Sequence, residues 1–195
     1  MIGPPRVLVA PPDTDLDRLV APIVTAFSAD PFVRWLLPGS AMYLKHFPPN
    51  ALAHAATAVA NGGARCTADF AASALWFPPG VGAAPGSNEA FVAGIPEARR
   101  ETAFAVFERM GAGHPEEPCW HLRLLGVDPP LQGRGYGSAL LEEALRGLDA
   151  LHAAAFLEST SPGSRALYQR HGFQVLDEIQ AGDSPPLWPM LRRSR

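Results

Sequence analysis

A glycine-rich turn between an apolar strand and an amphipathic helix constrains the fold of this chain more than any other segment. The turn, residues 127–138, has the sequence VDPPLQGRGYGS and contains Gly133, Gly135 and Gly137. Residues 120–127 before it are typical of a strand, and apolar residues after it recur at the spacing of a buried helix face. Glycines let the backbone approach a ligand closely, and the first amides of a helix lack internal partners. Because the helix dipole also favours negative charge there, the segment predicts an anion-binding site.

The glycine spacing distinguishes this turn from two common phosphate-binding loops. A P-loop needs a Lys-Ser or Lys-Thr pair, and a dinucleotide fingerprint needs G-x-G-x-x-G, whereas the glycines here alternate as G-x-G-x-G. Residues 127–137 instead match V-x-P-x-x-Q-G-x-G-x-G, which resembles the pyrophosphate-binding motif of the GCN5-related N-acetyltransferases, the GNAT family. The resemblance implies that acetyl-CoA is the cofactor. It also implies the binding residues Leu125, Val127, Gln132, Gly133, Arg134, Gly135, Tyr136, Gly137 and Ser138.

A second motif lies downstream, on a short predicted helix. Ser164, Tyr168 and His171 share one face of this helix by their spacing, and Gly172 ends it. GNAT enzymes are similar here, and the resemblance implies that Tyr168 returns a proton to the leaving thiolate of the coenzyme. A reference pKa of about 10 keeps a tyrosine protonated for this task; a purely structural role in the core is the alternative. The family usually has asparagine at position 164, so Ser164 implies a weaker or water-mediated coenzyme contact.

Within the family, the chain is most similar to puromycin N-acetyltransferase-like members. The matching segments are residues 117–122, 156–158, 168–173 and 188–190. This similarity implies transfer of an acetyl group to a primary amine of a small molecule, either antibiotic-like or a metabolite. A protein or peptide N-acetyltransferase and a non-catalytic acyl-CoA-binding regulatory domain are the two alternatives, because a fold and a cofactor loop do not fix the acceptor.

The catalytic base has two candidates on neighbouring predicted strands. His121 lies six residues before Val127, at the strand position where histone-type GNAT enzymes carry a glutamate, and a reference pKa near 6.5 suits it to base chemistry. Glu158 can act through water or bind a cationic acceptor. An amine held close to the thioester can also attack without a strong base. The family resemblance further implies a strand bulge near Val127, whose backbone amide polarises the thioester oxygen.

Aromatic side chains supply the candidates for the acceptor pocket. Phe32, Trp35 and Trp76 are large enough to line it, although aromatic residues at such positions are more often core.

The predicted elements alternate between strands and helices and indicate an α/β (α+β) fold. For the GNAT family this implies a central mixed, mostly antiparallel sheet, with splayed central strands and flanking helices, in a single domain spanning residues 1–195. The predicted helices are residues 16–27, 32–37, 50–60, 138–151 and 164–171, with further helical segments between residues 89 and 110. The predicted strands are residues 7–9, 64–70, 72–77, 120–127, 155–160, 173–179 and 187–191.

Composition limits the partners and the location that we expect. The chain has 195 residues, 47% hydrophobic residues and a net charge of −3, and its one basic cluster is Arg192, Arg193 and Arg195, predicted to be a solvated end. We therefore expect no nucleic-acid partner. Without a secretory signal or a long apolar run, we expect no membrane association and a cytoplasmic location. The sequence is compatible with either a monomer or a homodimer. Cys66 and Cys119 have no metal-ligand spacing, so we expect two buried thiols and no metal.

Overall fold

A computed structural model describes residues 5–194, so residues 1–4 and Arg195, with the expectations placed on them, lie outside the described part of the chain. The helices are α1 (Leu16–Phe27), α2 (Pro31–Leu36), α3 (Ser40–Ala60), α4 (Glu89–Ala93), α5 (Glu97–Ala112), α6 (Tyr136–Ala150) and α7 (Pro162–Arg170). The strands are β1 (Val7–Val9), β2 (Ala64–Thr67), β3 (Ala72–Phe77), β4 (Cys119–Val127), β5 (Ala154–Ser159), β6 (Gln174–Val175) and β7 (Trp188–Arg192).

The described strands form one sheet in the order β1-β2-β3-β4-β5-β7-β6. Every neighbouring pair is antiparallel except β4 and β5, which run parallel. That pair is short: it joins Cys119–His121 to residues 154–156, and the two strands then separate. The predicted mixed, mostly antiparallel sheet with splayed central strands and flanking helices is therefore confirmed.

The two faces of the sheet carry different helices. Along β3, Leu75 and Phe77 pack with α1, α3 and α5 on one face, whereas Ala74 and Trp76 pack with α6 on the other. This separation follows from the two-residue alternation of side chains along a strand. The helices on the first face and the loop before α6 together flank the gap between β4 and β5.

Helix α1 crosses β4 at an unusually close contact. A Cβ atom at Gly126 would lie 2.4 Å from the Cα of Ile23, so only glycine allows the helix to approach this closely. Ser73 Oγ reinforces the contact by donating a 2.6 Å hydrogen bond to the carbonyl of Leu19. Because α1 is fixed here, its last turn and the segment that follows, residues 25–31, are held beside the gap between the central strands.

The largest difference from the predicted elements lies in α3. The sequence predicts a helix from residue 50, because Pro48 and Pro49 remove backbone donors, yet α3 begins at Ser40 and contains both prolines. Tertiary contacts of the first turns stabilise this part of the helix: the Tyr43 hydroxyl donates to the carbonyl of Val24, and the Phe47 ring stacks on Phe27 at 5.3 Å. Helix α7 likewise begins at Pro162, two residues earlier than predicted.

The basic C-terminal cluster also differs from its prediction. Arg192 is not solvated but buried, and it forms two hydrogen bonds to the carboxylate of Asp149 at 2.7 and 2.8 Å. Arg193 is exposed and pairs with Glu117 at 2.7 Å. Both cysteines are buried free thiols, as predicted. Across residues 5–194, no helix has the length and apolar character needed to cross a membrane.

Candidate active site

A cleft of about 980 Å³ opens where β4 and β5 separate. Its walls come from the segment after α1, the second half of β4, the glycine-rich turn, the end of β5 and one face of α7. Of the residues predicted to bind the coenzyme, Arg134 alone is absent from this lining, and its side chain is exposed. The others that line the cleft are Leu125, Val127, Gln132, Gly133, Gly135, Tyr136, Gly137, Ser138 and Ser164.

The glycine-rich turn presents backbone amides to this cleft. Gly135 is the N-cap residue of α6, its φ is 89°, and no side chain caps the helix. The first amides of α6 are therefore left without the usual side-chain acceptor. A positive φ is strained for any residue with a Cβ atom, so glycine is required at position 135. The uncapped amides and the helix dipole suit this end of the cleft to a phosphate group.

The backbone of β4 lines the same cleft. The amide of Asp128 donates to Ala71 at the far end of the β3–β4 pair, so by alternation the polar groups of Leu125 and Val127 face away from β3. Gln132 Nε2 donates a 3.1 Å hydrogen bond to the carbonyl of Val127. The Gln132 side chain thus fixes the turn against the strand, and the remaining backbone groups of this stretch are free to pair with an extended ligand.

Tyr168 projects from α7 into the cleft. Its ring packs edge-on against Phe173, with centroids 5.9 Å apart, and its hydroxyl has no hydrogen-bond partner within residues 5–194. Burial raises the pKa of Tyr168 above its ordinary value, and the nearby charge of Asp30 adds to this. The phenol therefore stays protonated at neutral pH and is available as a proton donor.

Asp30 lies in the wall of the cleft and connects α2 to the end of β5. One carboxylate oxygen accepts a 2.9 Å hydrogen bond from the amide of Val33, and the other accepts from the hydroxyl of Thr160. Burial raises the pKa of Asp30, although both hydrogen bonds oppose that rise. Sequence reasoning did not single out Asp30 as a site residue, because its partner is 130 positions away.

The hydroxyl of Ser164 takes part in a capping box. Ser161 Oγ accepts from the amide of Ser164 at 3.1 Å, and Ser164 Oγ accepts from the amide of Ser161 at 3.2 Å. Ser164 Oγ also lies 2.8 Å from Ser159 Oγ. These contacts hold the start of α7 against β5. Ser138, in the first turn of α6, is bonded to His171 Nε2 at 3.1 Å, which connects the two helices that flank the cleft.

A second cavity of about 450 Å³ lies between α2, α3, α4, α5 and the first half of β4. It shares four wall residues with the cleft, namely Phe27, Arg123, Glu158 and Thr160. The two cavities therefore meet where β4 and β5 separate. A molecule in the second cavity can therefore lie close to a group held in the cleft beside these four side chains.

His121, Glu158 and Arg123 form a hydrogen-bonded chain at this junction. His121 Nε2 lies 2.8 Å from Glu158 Oε2, and Arg123 Nη1 lies 3.3 Å from His121 Nδ1. Arg123 Nη1 also lies 3.5 Å from His121 Nε2, so the guanidinium lies over the imidazole ring. Because a carboxylate can only accept, His121 carries a proton on Nε2, toward Glu158. The structure thus brings the two predicted base candidates into one contact.

The ionisation states of His121 and Glu158 follow from their burial and from the charges around them. Burial lowers the pKa of His121, against the opposing hydrogen bond to Glu158. Burial alone would raise the pKa of Glu158, but the hydrogen bond from His121 and the positive charge of Arg123 outweigh it, so the pKa is lower than usual. At neutral pH we therefore expect a neutral His121 and an ionised Glu158. The carboxylate lines both cavities and so lies beside a molecule held at their junction.

The strand bulge of β4 lies at a different position from the predicted one. Leu75 pairs with Leu124 but Trp76 pairs with Leu122, which leaves Arg123 as the extra residue. Pairing is regular from Leu124 to Val127, so the prediction of a bulge near Val127 is wrong. The bulge places the side chains of Arg123 and Leu124 toward the same cavity, and sequence spacing alone gave no sign of it.

The three aromatic residues predicted for the acceptor pocket are separated in the structure. Phe32 lines the second cavity, and Trp35 stacks behind it at 5.9 Å without lining either cavity. Trp76 is buried on the other face of the sheet, against α6. Further aromatic and histidine side chains that were not predicted also line the cavity. They are Phe27, Phe47, Phe91, Phe107, His54 and His114.

The mixed sheet with splayed central strands and an amide-lined turn at the resulting cleft is similar to the fold of solved acetyltransferase structures. Residues 89–175 match the family described as Acetyltransferase (GNAT) domain. This family generally uses acetyl-CoA. This match covers less than half of the chain, and over these residues the chain is similar to GNAT acetyltransferases.

A curated relative and several solved structures are also similar to this chain. The mycothiol acetyltransferase of Beutenbergia cavernae is 39% identical over 74 residues, which cover 35% of this chain and only 24% of that protein. The structure of histone acetyltransferase HPA2 and related acetyltransferase from Corynebacterium glutamicum is 27% identical, covers 99% of this chain and 98% of that one, and has a TM-score of 0.69.

Two amine acetyltransferases of lower identity share the fold. Polyamine N-acetyltransferase from Drosophila melanogaster is 17% identical, with 96% and 100% of the two chains covered and a TM-score of 0.57. Arylalkylamine N-acetyltransferase 2 from Aedes aegypti is 12% identical, with 97% and 99% covered and a TM-score of 0.66. These two neighbours act on different small-molecule amines, so the fold alone does not select the acceptor.

Proposed function

We propose that the chain is an acetyl-CoA-dependent N-acetyltransferase whose acceptor is a primary amine of a small molecule. One observation carries this proposal: the amide-lined cleft and the second cavity meet at Glu158. Acetyl-CoA, when bound in the cleft, supplies an activated acetyl thioester. The cleft fits such a cofactor because it has uncapped α6 amides at one end and unpaired β4 backbone along its wall.

Each residue at the junction has a proposed task. Glu158 accepts the proton that the amine loses as its nitrogen bonds to the acetyl carbon. Tyr168 donates a proton to the sulfur that leaves when the carbon–sulfur bond breaks, so the products are an acetylated amine and a free thiol. His121 donates from Nε2 to Glu158 and holds this carboxylate toward both cavities. Proton exchange with solvent then restores Glu158 and Tyr168.

The second cavity supports a small-molecule acceptor over a peptide. It is bounded by helices on several sides and has a volume of about 450 Å³, within the range of small-molecule pockets. An extended peptide needs an open groove instead. The antibiotic-like acceptor suggested by the puromycin-type resemblance is one member of the proposed class, as is a metabolite amine. One sheet contains both β1 and β7, and this further supports a single N-acetyltransferase domain.

A thiol-release assay tests the proposal. The chain is incubated with acetyl-CoA and a broad panel of primary amines, free thiol is measured, and the acetylated products are identified by mass spectrometry. We expect thiol release that depends on the amine. Tight coenzyme binding with no turnover, unaffected by Tyr168→Phe, would instead support a non-catalytic acyl-CoA-binding domain. Acetylation of peptide amines alone would support the peptide enzyme.

A further inference from the structure

Five phenylalanine rings line the second cavity. Phe32 and Phe107 meet edge to face with centroids 6.4 Å apart, and Phe47 meets Phe91 in the same way at 6.4 Å. The fifth ring, Phe27, also lines the cleft and stacks on Phe47. Phe27, Phe91 and Phe107 are only partly buried by the protein, so part of each ring is left for contact with a bound molecule. Aromatic rings contribute through both apolar area and ring geometry.

The charged groups of the same cavity are few. Among the described residues that line it, Glu158 has the only carboxylate and Arg123 the only permanent positive charge. The remaining polar lining consists of three histidines, two asparagines and one threonine, namely His54, His114, His121, Asn50, Asn88 and Thr160. One ammonium group can therefore pair with Glu158. A second ammonium group in the cavity would find no carboxylate partner there and would lie in the same space as Arg123.

We propose that the second cavity selects a primary monoamine attached to an aromatic or similarly bulky apolar group and discriminates against polyamines. This inference rests on the proposed function and adds the substrate class. The rings hold the apolar group, and Glu158 holds the amine at the junction with the cleft. Phe32, Phe107 and Glu158 are then the residues that determine specificity.

The test compares three amines as acceptors for the full chain: 2-phenylethylamine, n-butylamine and 1,4-diaminobutane. We expect kcat/KM for 2-phenylethylamine to exceed that for n-butylamine by about tenfold or more, because each additional apolar group held in a pocket contributes at least this factor. We expect 1,4-diaminobutane to be the poorest of the three. A kcat/KM for the diamine equal to or above that of the aromatic amine overturns the inference.

Matched phenylalanine variants locate the selectivity. Phe107→Leu removes a cavity ring and should reduce the preference for 2-phenylethylamine over n-butylamine by about tenfold. Phe70→Leu is the control, since Phe70 lies in the turn between β2 and β3 and lines neither cavity. We expect its preference to match that of the unsubstituted chain. Equal loss of preference in both variants, with coenzyme A binding retained, contradicts the assignment of the ring at position 107.

A charge variant tests the second part of the inference. Asn88 accepts a 2.9 Å hydrogen bond from Asn50 Nδ2 through its side-chain oxygen, and Asn88→Asp keeps that oxygen while adding a carboxylate to the cavity wall. We expect kcat/KM for 1,4-diaminobutane to rise by about tenfold, as for a new charge-assisted hydrogen bond. An unchanged value contradicts the charge selection.

The failure of this inference differs from the failure of the proposed function. If amines are acetylated with no aromatic preference, the inference alone is wrong. If no amine in the broad panel releases thiol, the proposed function is wrong and the inference with it. Calorimetric titration of 2-phenylethylamine in the presence of coenzyme A provides a readout that does not require turnover, and we expect tighter binding of this amine than of 1,4-diaminobutane.

Discussion

The cleft and the second cavity meet at four residues, but different parts of the chain form their walls. The proposed phosphate end of the cleft is backbone from one continuous segment, ending in the N-terminus of α6. The wall of the second cavity consists of side chains from several helices and two strands. A backbone site depends on local conformation, whereas a side-chain site depends on how distant elements pack. The first can therefore be inferred from a short sequence motif and the second cannot.

The largest effect should come from the backbone site. Gly135→Val forces a β-branched residue to a φ of 89°, which strains the turn and moves the α6 amides. We expect coenzyme A to bind about 1,000-fold more weakly, from roughly 1–3 kcal/mol of strain together with lost charge-assisted hydrogen bonds. Isothermal titration measures the affinity. Gly147→Val on the same helix is the control, because a Cβ atom there meets no atom within 4 Å. Normal coenzyme binding by Gly135→Val would rule out the turn as the phosphate site.

The junction of the two cavities should give the next largest effect. Glu158→Gln preserves the shape of the side chain but removes its proton-accepting charge. We expect kcat to fall by about 100-fold, the lower range for general base catalysis, while the affinity for coenzyme A changes little.

His121→Asn removes a residue that acts through Glu158 and should have a smaller effect on kcat. Because the hydrogen bond from His121 lowers the pKa of Glu158, this variant should also shift the acidic limb of the pH–rate profile to higher pH. A larger kcat loss in His121→Asn than in Glu158→Gln would make His121 the base.

A smaller loss is expected at Tyr168, the proposed proton donor. Tyr168→Phe keeps the ring that packs on Phe173 and removes the hydroxyl. We expect kcat to fall by about tenfold rather than more, because a thiol has a pKa of about 8.5 and leaves readily as a thiolate. Stopped assays with acetyl-CoA measure kcat, and thermal unfolding checks that the fold is retained. A variant with unchanged kcat would leave Tyr168 with a structural role alone.

The comparison also explains which parts of the site could be predicted. The turn and Tyr168 belong to continuous motifs, and all but one of the predicted coenzyme residues line a single cleft. Arg123, His54 and Phe107 were missed because nothing local to them indicates a shared cavity. Trp76 was placed in the acceptor pocket although it faces α6. Strand alternation could have separated Trp76 from Phe77, but which face holds the acceptor depends on the packing of α3 and α5.

The helices and strands also divide into those that local sequence signals predict and those that depend on tertiary contacts. Most helices and strands were predicted within a few residues, because hydrophobic spacing and capping residues are local signals. Asp15 and Asp30, for example, cap α1 and α2 through hydrogen bonds to amides three residues on. The first half of α3 was missed because Pro48 and Pro49 oppose a helix locally, and its stability comes from the contacts of Tyr43 and Phe47 with α1. The bulge at Arg123 is likewise a property of the β3–β4 pair.

The smallest expected effect is a loss of stability at acidic pH. This loss should come from the wall of the second cavity and not from the glycine-rich turn. His54 lines the second cavity, stacks on Phe77 and bonds through Nδ1 to the carbonyl of Asn50. Burial lowers its pKa from 6.5 to about 4, against the hydrogen bond that opposes this. Between pH 4 and pH 6.5, His54 is therefore protonated more in the unfolded chain than in the folded chain. The stability that the neutral ring confers is therefore complete above pH 6.5 and is lost as the pH falls toward 4.

Urea unfolding between pH 7 and pH 5 measures this loss. At about 1.4 kcal/mol per pKa unit, protonation linked to His54 should remove about 2 kcal/mol over this interval. His54→Phe keeps a ring on Phe77 but cannot titrate, so we expect a flatter dependence of the unfolding free energy on pH, even if the variant is less stable at pH 7. Because the glycine-rich turn is formed by amides, which do not titrate in this range, Gly135→Val should retain the full pH dependence. If His54→Phe and Gly135→Val show the same slope, the acid sensitivity does not come from the wall of the second cavity.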